Sequence, residues 1–433
     1  MKESIKEEPG RSKEMLSVLS KLISFESIKS QCSNNAPFGE KIDNALKYLL
    51  QICKEKGFRT KYGNGYYGYC EYGAGKRLIT ILVHLDVVPA GDGWLGDPFK
   101  MRVEDRKIIG RGAVDDKGPA VACIFALEKV KEYYSKSDSE PESRIRIVFG
   151  TDEECGGQDM KKYAELEEPP TYGFTADADF PVVQAEKGIL NFVISLDAME
   201  DDIEYIQGGT VFNAVPGECR VKLRGDEKTK IYAGKEAHAS EPHKGVNAIS
   251  KAMSSLSCDS VNSKLCDFWK EYIGKDFNGG KIGCNISDEV SGNLTFNVGT
   301  IKISDGKFKI GVDIRFPVTY DGETIVERIR KRIANSGATL EDIVIKKPLY
   351  LPNDHVVIKL LNESYSQYTG DYHTKPIITG GGTYARTLPN IVAFGPVFPG
   401  EECTEHQPEE YIYIDDLEKI TDIYFDAMLK MSK

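Results

Sequence analysis

The sequence predicts an α/β fold, a mixed sheet flanked by helices, interrupted by an inserted α+β unit. Three observations predict it. The stretch Leu78 to Pro89, LITILVHLDVVP, is a short apolar run of the kind covered on both faces in a parallel sheet. The same plan recurs at Arg144 to Gly150 and at Tyr172 to Asp177, where strand-like pieces end in acidic residues. At about Glu186 the pattern changes, and Leu190, Phe192, Ile194 and Leu196 alternate like a strand with one wet face.

In chain order, 12–30 and 39–57 read as amphipathic helices, the second with Ile42, Leu46, Leu49 and Cys53 at helical spacing and Gly57 as its C-cap. Tyr62 to Tyr72 suits paired strands. The organising strand follows, and His84 and Asp86 at its end point the same way, because side chains alternate along an extended chain. A carboxylate placed so can hold one ring nitrogen while the other binds a metal; a core histidine neutralised by aspartate is the alternative. Trp94 and Phe99 either line a pocket or staple the loop that carries them. In IIGRGAVDDKG a short strand runs through glycines and two aspartates into a helix faced by Ile124, Leu127, Val130 and Tyr134. There Asp115 and Asp116 could simply cap that helix.

Strand 144–150 ends in Thr151-Asp152-Glu153-Glu154, three carboxylates that either solvate a loop or are held together by cations. Beyond Glu186 come a helix at 247–256, a hairpin signalled by Asp305-Gly306 between alternating runs, and a helix at 322–334. The α/β character resumes near Leu349, with a helix at 355–368, the glycine-rich Gly380-Gly381-Gly382-Thr383-Tyr384-Ala385-Arg386, a strand at 390–395, an acidic loop with His406, and a helix at 414–431. The expected domains are 1–186 with 350–433, and 187–349 between them.

Composition sets the class. A chain of 433 residues with 40% hydrophobic and 28% charged residues is that of a soluble globular protein of roughly two or three domains. A net charge of −11 offers no basic face for nucleic acid or an anionic membrane. No apolar run approaches the roughly 18 residues of a membrane span. The charged start, MKESIKEEPGRSKEM, has no apolar core, so it is not read as a secretory signal. The ten cysteines include no C-x-x-C pair, which argues for reduced thiols and a cytoplasmic location. Cys155, beside the acidic run, reads as packing, since no base stands next to it.

His84, Asp115, the cluster Asp152 to Glu154, Asp177 and His406 are distant in sequence, yet each follows a strand or lies in a loop beyond one. Ligands in open α/β sheets sit at the carboxyl ends of strands. Two imidazoles and several carboxylates at one such edge suit Zn²⁺ or a similar divalent ion. Two cations, three carboxylates and a bridging hydroxide come to neutrality, whereas one cation leaves the site negative.

The segments HLDVVPAGDGW, GRGAVDDKGP, GTDEECGG, GFTADADFP, FNAVPGE, KEAHASEP, GGGTYAR and EHQPEEYI resemble, in order and along nearly the whole chain, those of the dinuclear zinc family of aminoacylases, carboxypeptidase G-type enzymes and PepV-type dipeptidases. The dipeptidase branch fits best. The resemblance implies a zinc-exopeptidase-like fold with 187–349 as a lid. It implies two Zn²⁺ per chain, for which Mn²⁺ or Co²⁺ could substitute. Asp115 would bridge them, Glu154 and His406 would complete one site, and His84 and Asp177 the other. Asp86 would orient His84, and Glu153 would be the general base for a water bridging the metals. His238 in the lid would stabilise the oxyanion, while Asn213, Arg315, Gly382 and Arg386 would contact substrate. Ordinary salt bridging is the alternative for Arg315. Asp177, where the carboxypeptidase branch tends to have glutamate, implies dipeptides with a free amino end. His243, His355 and His373 match no ligand position. A lid of this length resembles those that supply their own histidine, which allows a monomer. Two rival readings are an amidohydrolase of N-acyl amino acids and a non-catalytic peptide or metal binder.

Overall fold

A computed structural model describes residues 9–33, 35–258 and 261–433; the first residues of the charged start lie outside them. The chain divides into two compact units. One comprises the described residues up to Gln184, with Leu351–Ile377 and Thr383–Lys433; the other comprises Ala185–Tyr350 and Ile378–Gly382.

In the first unit, strand Arg77–His84 is central and buried along its length except at Arg77. It runs parallel to Ser143–Gly150 on one side and Tyr172–Thr175 on the other, with His84 opposite Gly150 and Leu82 opposite Thr175. Ile391–Ala393 extends the parallel set beyond Tyr172–Thr175. Four strands therefore release their following loops at one edge, which is why residues so far apart in sequence can meet. Tyr67–Tyr72 and Arg59–Gly63 add antiparallel strands outside Ser143–Gly150, making the sheet mixed. Helix Lys117–Lys136 packs with the terminal helix Ile414–Met431.

Two differences from the sequence reading bear on the site. The first helix, Pro9–Ile23, stops seven residues short of the expected 30. Ser27 donates its hydroxyl to the Leu85 carbonyl (2.6 Å) and accepts from the Val87 amide (3.0 Å), so this segment is drawn out beside the loop after His84. No helix was read after the acidic run, yet Gln158–Leu166 forms one once Gly157 turns left-handed at φ 65°.

The second unit is a seven-stranded antiparallel sheet, in the order Lys230–Ala233, Glu218–Leu223, Ile203–Gly208, Thr295–Ser304, Lys307–Phe316, Gly188–Asp197, Thr339–Lys346. Leu190, Phe192 and Ile194 share one core with Ile249, Met253, Ile325 and Ile329 of the helices Ala248–Cys258 and Gly322–Ile333. The expected hairpin is present: Ser304 pairs with Lys307 across Asp305 (φ 52°) and Gly306 (φ 70°), a two-residue turn with both dihedrals positive. Among the described residues no helix is long and apolar enough to cross a membrane.

Candidate active site

Several of the acidic and imidazole groups at the sheet edge are fixed by bonds to or from the backbone before they meet one another. His84 ends its strand, and its amide donates to Asp116 Oδ2 (2.9 Å). Asp116 occupies the N-cap position of helix Lys117–Lys136, but its side chain makes no cap bond; capping, the simple alternative for these aspartates, is not what they do. Asp86 differs from expectation. Its backbone carbonyl, 2.9 Å from His84 Nδ1, takes the ring's hydrogen bond, while its carboxylate stands 3.6 Å away. That carboxylate accepts instead from the amides of Glu153 (3.2 Å) and Glu154 (3.1 Å). Asp86 thus ties the acidic turn to the organising strand.

The groups then converge on Asp115. His84 Nε2 lies 2.8 Å from Asp115 Oδ1 and 3.8 Å from Asp177 Oδ2. His406 Nε2 lies 3.0 Å from Asp115 Oδ2 and 3.1 Å from Glu154 Oε1. One carboxylate therefore faces an imidazole with each of its oxygens. His84 is buried, whereas the side chain of His406 is 52% exposed. His406 also holds a left-handed backbone at φ 62°, a conformation histidine adopts more readily than most residues other than glycine.

The electrostatics follow from crowding. Burial, then Asp115, pushes the Asp177 carboxyl up to about 7. Burial, then the same carboxylates Asp115 and Asp177, takes Glu405 up to about 8. Glu153 is raised well above its ordinary range by burial and then by Asp177. Burial opposes ionisation of Asp115, but His406 and His84 overcome it and hold that carboxyl low. Bonds to Asp115 and Glu154 lift His406 to about 11. Negative charge exceeds what two imidazoles can balance.

The donor set fits divalent cations. Nδ1 of His84 is engaged with a carbonyl, so in the neutral ring Nε2 presents a lone pair to carboxylate oxygens. Asp115 Oδ1 is buried, with His84 Nε2 only 2.8 Å away. His84, Asp115 and Glu154 place ligand atoms within 4.8 Å of one another. Mixed imidazole and carboxylate donors at such spacing are those of zinc-type sites.

Sequence reasoning missed the groups that hold this arrangement. Glu410, fully buried, accepts from the amides of Gly112 (3.1 Å), Val114 (3.0 Å) and Asp115 (3.2 Å) and pairs with Arg111 (2.7 Å). Arg111 in turn donates to the His406 carbonyl (3.3 Å), so one buried ion pair joins the loops of Asp115 and His406. Trp94 lies over the Arg111 guanidinium and donates to the Ala90 carbonyl (2.8 Å), which makes it a staple for its loop. Asp159 accepts from the amides of Thr151 (2.6 Å) and Asp152 (3.0 Å) and from the Tyr384 hydroxyl. Arg111 and Glu410 lie inside quoted segments and Asp159 two residues beyond one, but nothing in their residue types marks a supporting role. Cys155 proves exposed rather than packed, with partial burial and nearby carboxylates holding its thiol high.

In the second unit, His238 and Asn213 are exposed. His238 Nδ1 accepts from the Ser240 amide (3.2 Å), and the Ser240 hydroxyl lies 2.6 Å away. The neutral ring therefore carries its proton on Nε2. Burial and then the Arg315 charge push its pKa below the ordinary value. Arg315 is 4% exposed, with its fork committed to Asp313 (2.7 and 3.0 Å) and to the Gly380 carbonyl (2.7 Å). The salt-bridging alternative describes it, and it serves as a strut for the glycine-rich loop. A side chain at Gly380 would strike Ser240, so that loop can approach only as glycine. Gly382 is exposed at the end of this loop; Arg386, half-buried, belongs to the first unit on the one-turn helix Tyr384–Thr387.

Convergent imidazoles and carboxylates at the carboxyl edge of a mixed α/β sheet offer the donor set of a divalent-metal site. A family model for peptidase family M20/M25/M40 matches residues 80–430, and the chain belongs to that metal-dependent family. It is 34% identical to "Putative dipeptidase YtjP" of Bacillus subtilis, over 92% of each chain. It resembles the solved structure of the di-peptidase Dug1p from Saccharomyces cerevisiae, with TM-score 0.61, 14% identity and 98% and 96% of the two chains covered. It also resembles a Bacillus subtilis M20 protein described as a dinuclear metal binding peptidase, with TM-score 0.55, 10% identity and 98% and 99% covered.

Proposed function

We propose that this chain hydrolyses the peptide bond of dipeptides with a free amino end, using two zinc ions. His84, Asp115 and Asp177 would hold one ion, and Asp115, Glu154 and His406 the other. The observation that carries the reading is the meeting of His84 and His406 on the two oxygens of Asp115. The names of the relatives support dipeptides as the substrate class.

When bound, such ions lower the pKa of water and polarise a carbonyl. Glu153 would take the proton from the attacking water at its carboxylate and return it to the leaving amine. Its amide is anchored by Asp86, so this carboxylate starts from a fixed backbone. His238 would donate Nε2–H to the oxyanion, a role that needs the tautomer its Ser240 contact favours. Asn213, Gly382 and Arg386 would contact substrate, with Arg386 suited to a terminal carboxylate; Arg315 would act through the loop it supports.

A screen of dipeptides, tripeptides, a pentapeptide and N-acyl amino acids with added Zn²⁺ or Mn²⁺ tests this. Free dipeptides should turn over, and amidated or longer peptides poorly. Preference for acetylated amino acids, or equal rates on the pentapeptide, would contradict it.

A further inference from the structure

The second unit contains a buried polar clamp that the proposed reaction does not itself use. Asn297, on strand Thr295–Ser304, is 2% exposed. Its carboxamide nitrogen donates to two carbonyls, Phe212 O (3.1 Å) and Ala214 O (2.9 Å), which flank Asn213 in the chain. Asn247, 7% exposed, lies behind it: its nitrogen bonds the Val298 carbonyl (2.8 Å) and reaches Asn297 Oδ1 (3.4 Å). Asn247 Oδ1 accepts from the Ser250 amide (3.1 Å), so the clamp is rooted in the first turn of helix Ala248–Cys258.

The clamped loop is coupled to the lid histidine. The Asn213 carbonyl accepts from the Ala239 amide (2.9 Å), and Ala214 and Val215 pair with His238 and Ala237. A two-residue ladder of this kind has little stability of its own. Its far end is tied to the sheet region through Pro216 and Gly217, whose carbonyls accept from the amides of Ala248 and Gly234. At the end that carries Asn213 and His238, the Asn297 carboxamide makes the tie. The loop is also seated where side chains are excluded: a Cβ on Gly299 would lie 2.3 Å from the Phe212 carbonyl oxygen, and one on Gly311 would strike the Phe212 ring.

We infer that Asn297 is a positioning residue, holding as one piece the loop that presents Asn213 and His238. The inference rests on the reading of His238 as the oxyanion donor. A donor displaced by about 1 Å loses rate on the order of 10²-fold, so a clamp beneath it sets turnover without touching substrate.

A double-mutant cycle on the zinc-loaded enzyme with a cleaved dipeptide tests it. Asn297→Asp, which replaces both donors by acceptors, should lower kcat about 10- to 100-fold with metal content unchanged. In a His238→Ala background the same change should cost less than about threefold, because the residue it acts through is gone. If burying the carboxylate unfolds the second unit, Asn297→Ser decides: it keeps one donor and should give a smaller loss, with faster hydrogen exchange at the Ala239 amide. Near-normal kcat in both variants, or a loss that recurs in full without His238, overturns the inference alone. A His238→Ala enzyme with unchanged kcat overturns the reading of His238, and the inference with it.

Discussion

Glu153 and Glu154 are neighbours whose amides share one acceptor, the Asp86 carboxylate, yet only Glu154 meets an imidazole. That difference separates their roles. Glu153→Gln should cut turnover by a factor on the order of 10² or more and keep metal, as expected for a lost general base. Glu154→Gln should lose metal instead. Retention of both metal and rate in the two variants would refute the assignment. The Arg111–Glu410 pair makes a second prediction at this scale. Glu410→Ala leaves Arg111 buried without its partner and three amides without theirs, which should cost about 3–5 kcal/mol of stability. Metal affinity should fall by about 10- to 100-fold, since the loop of Asp115 loses its support. Denaturant unfolding and a metal titration check both. His84, Asp115, Glu154 and His406 were legible in sequence because their chemistry is conspicuous. Glu410 was not, because a carboxylate that binds backbone amides looks like any other acidic residue until the fold brings the amides to it.

At the scale of elements, the terminal helix offers a pH test away from the site. Asp416, in its first turn, is pushed up to about 6 by burial and then by the Glu401 carboxylate. The folded state then binds more protons than the unfolded one between pH 4 and 6, so this group's contribution to stability falls as pH rises through that window. Asp416→Asn should therefore raise the unfolding temperature at pH 8 and change little at pH 4. An equal shift at both pH values would show that the carboxylate is not the cause. This helix was read from sequence at 414–431, its observed bounds, because its apolar stripe is long and regular. Strand Thr339–Lys346 was not recognised. As a sheet edge it alternates only between half-buried and exposed positions, so its pattern is faint. The first helix was read too long because Ser27 and its neighbours have helical spacing, while the bonds that extend them come from residues near 85.

At the scale of the molecule, the proposed metal ligands belong to one unit and the proposed oxyanion donor, His238, to the other. Mixing His238→Ala with Glu153→Gln, each inactive alone, should restore nothing if His238 serves its own chain. Recovered hydrolysis in the mixture would show a site shared between subunits. The sequence announced a second unit through the change from buried to alternating strands at Glu186. How that unit holds His238 was hidden, because Asn247, Asn297 and Phe212 are separated by up to 85 residues.

The central claim is that Asp115 serves two metals at once. Metal-free protein titrated with Zn²⁺, with bound metal and dipeptide hydrolysis followed together, tests it most directly. Binding should saturate at about two ions per chain, with hydrolysis absent from the chelated protein and complete only when the second ion is bound. Full hydrolysis in the metal-free protein, or saturation of binding and rate at a single ion, would contradict it.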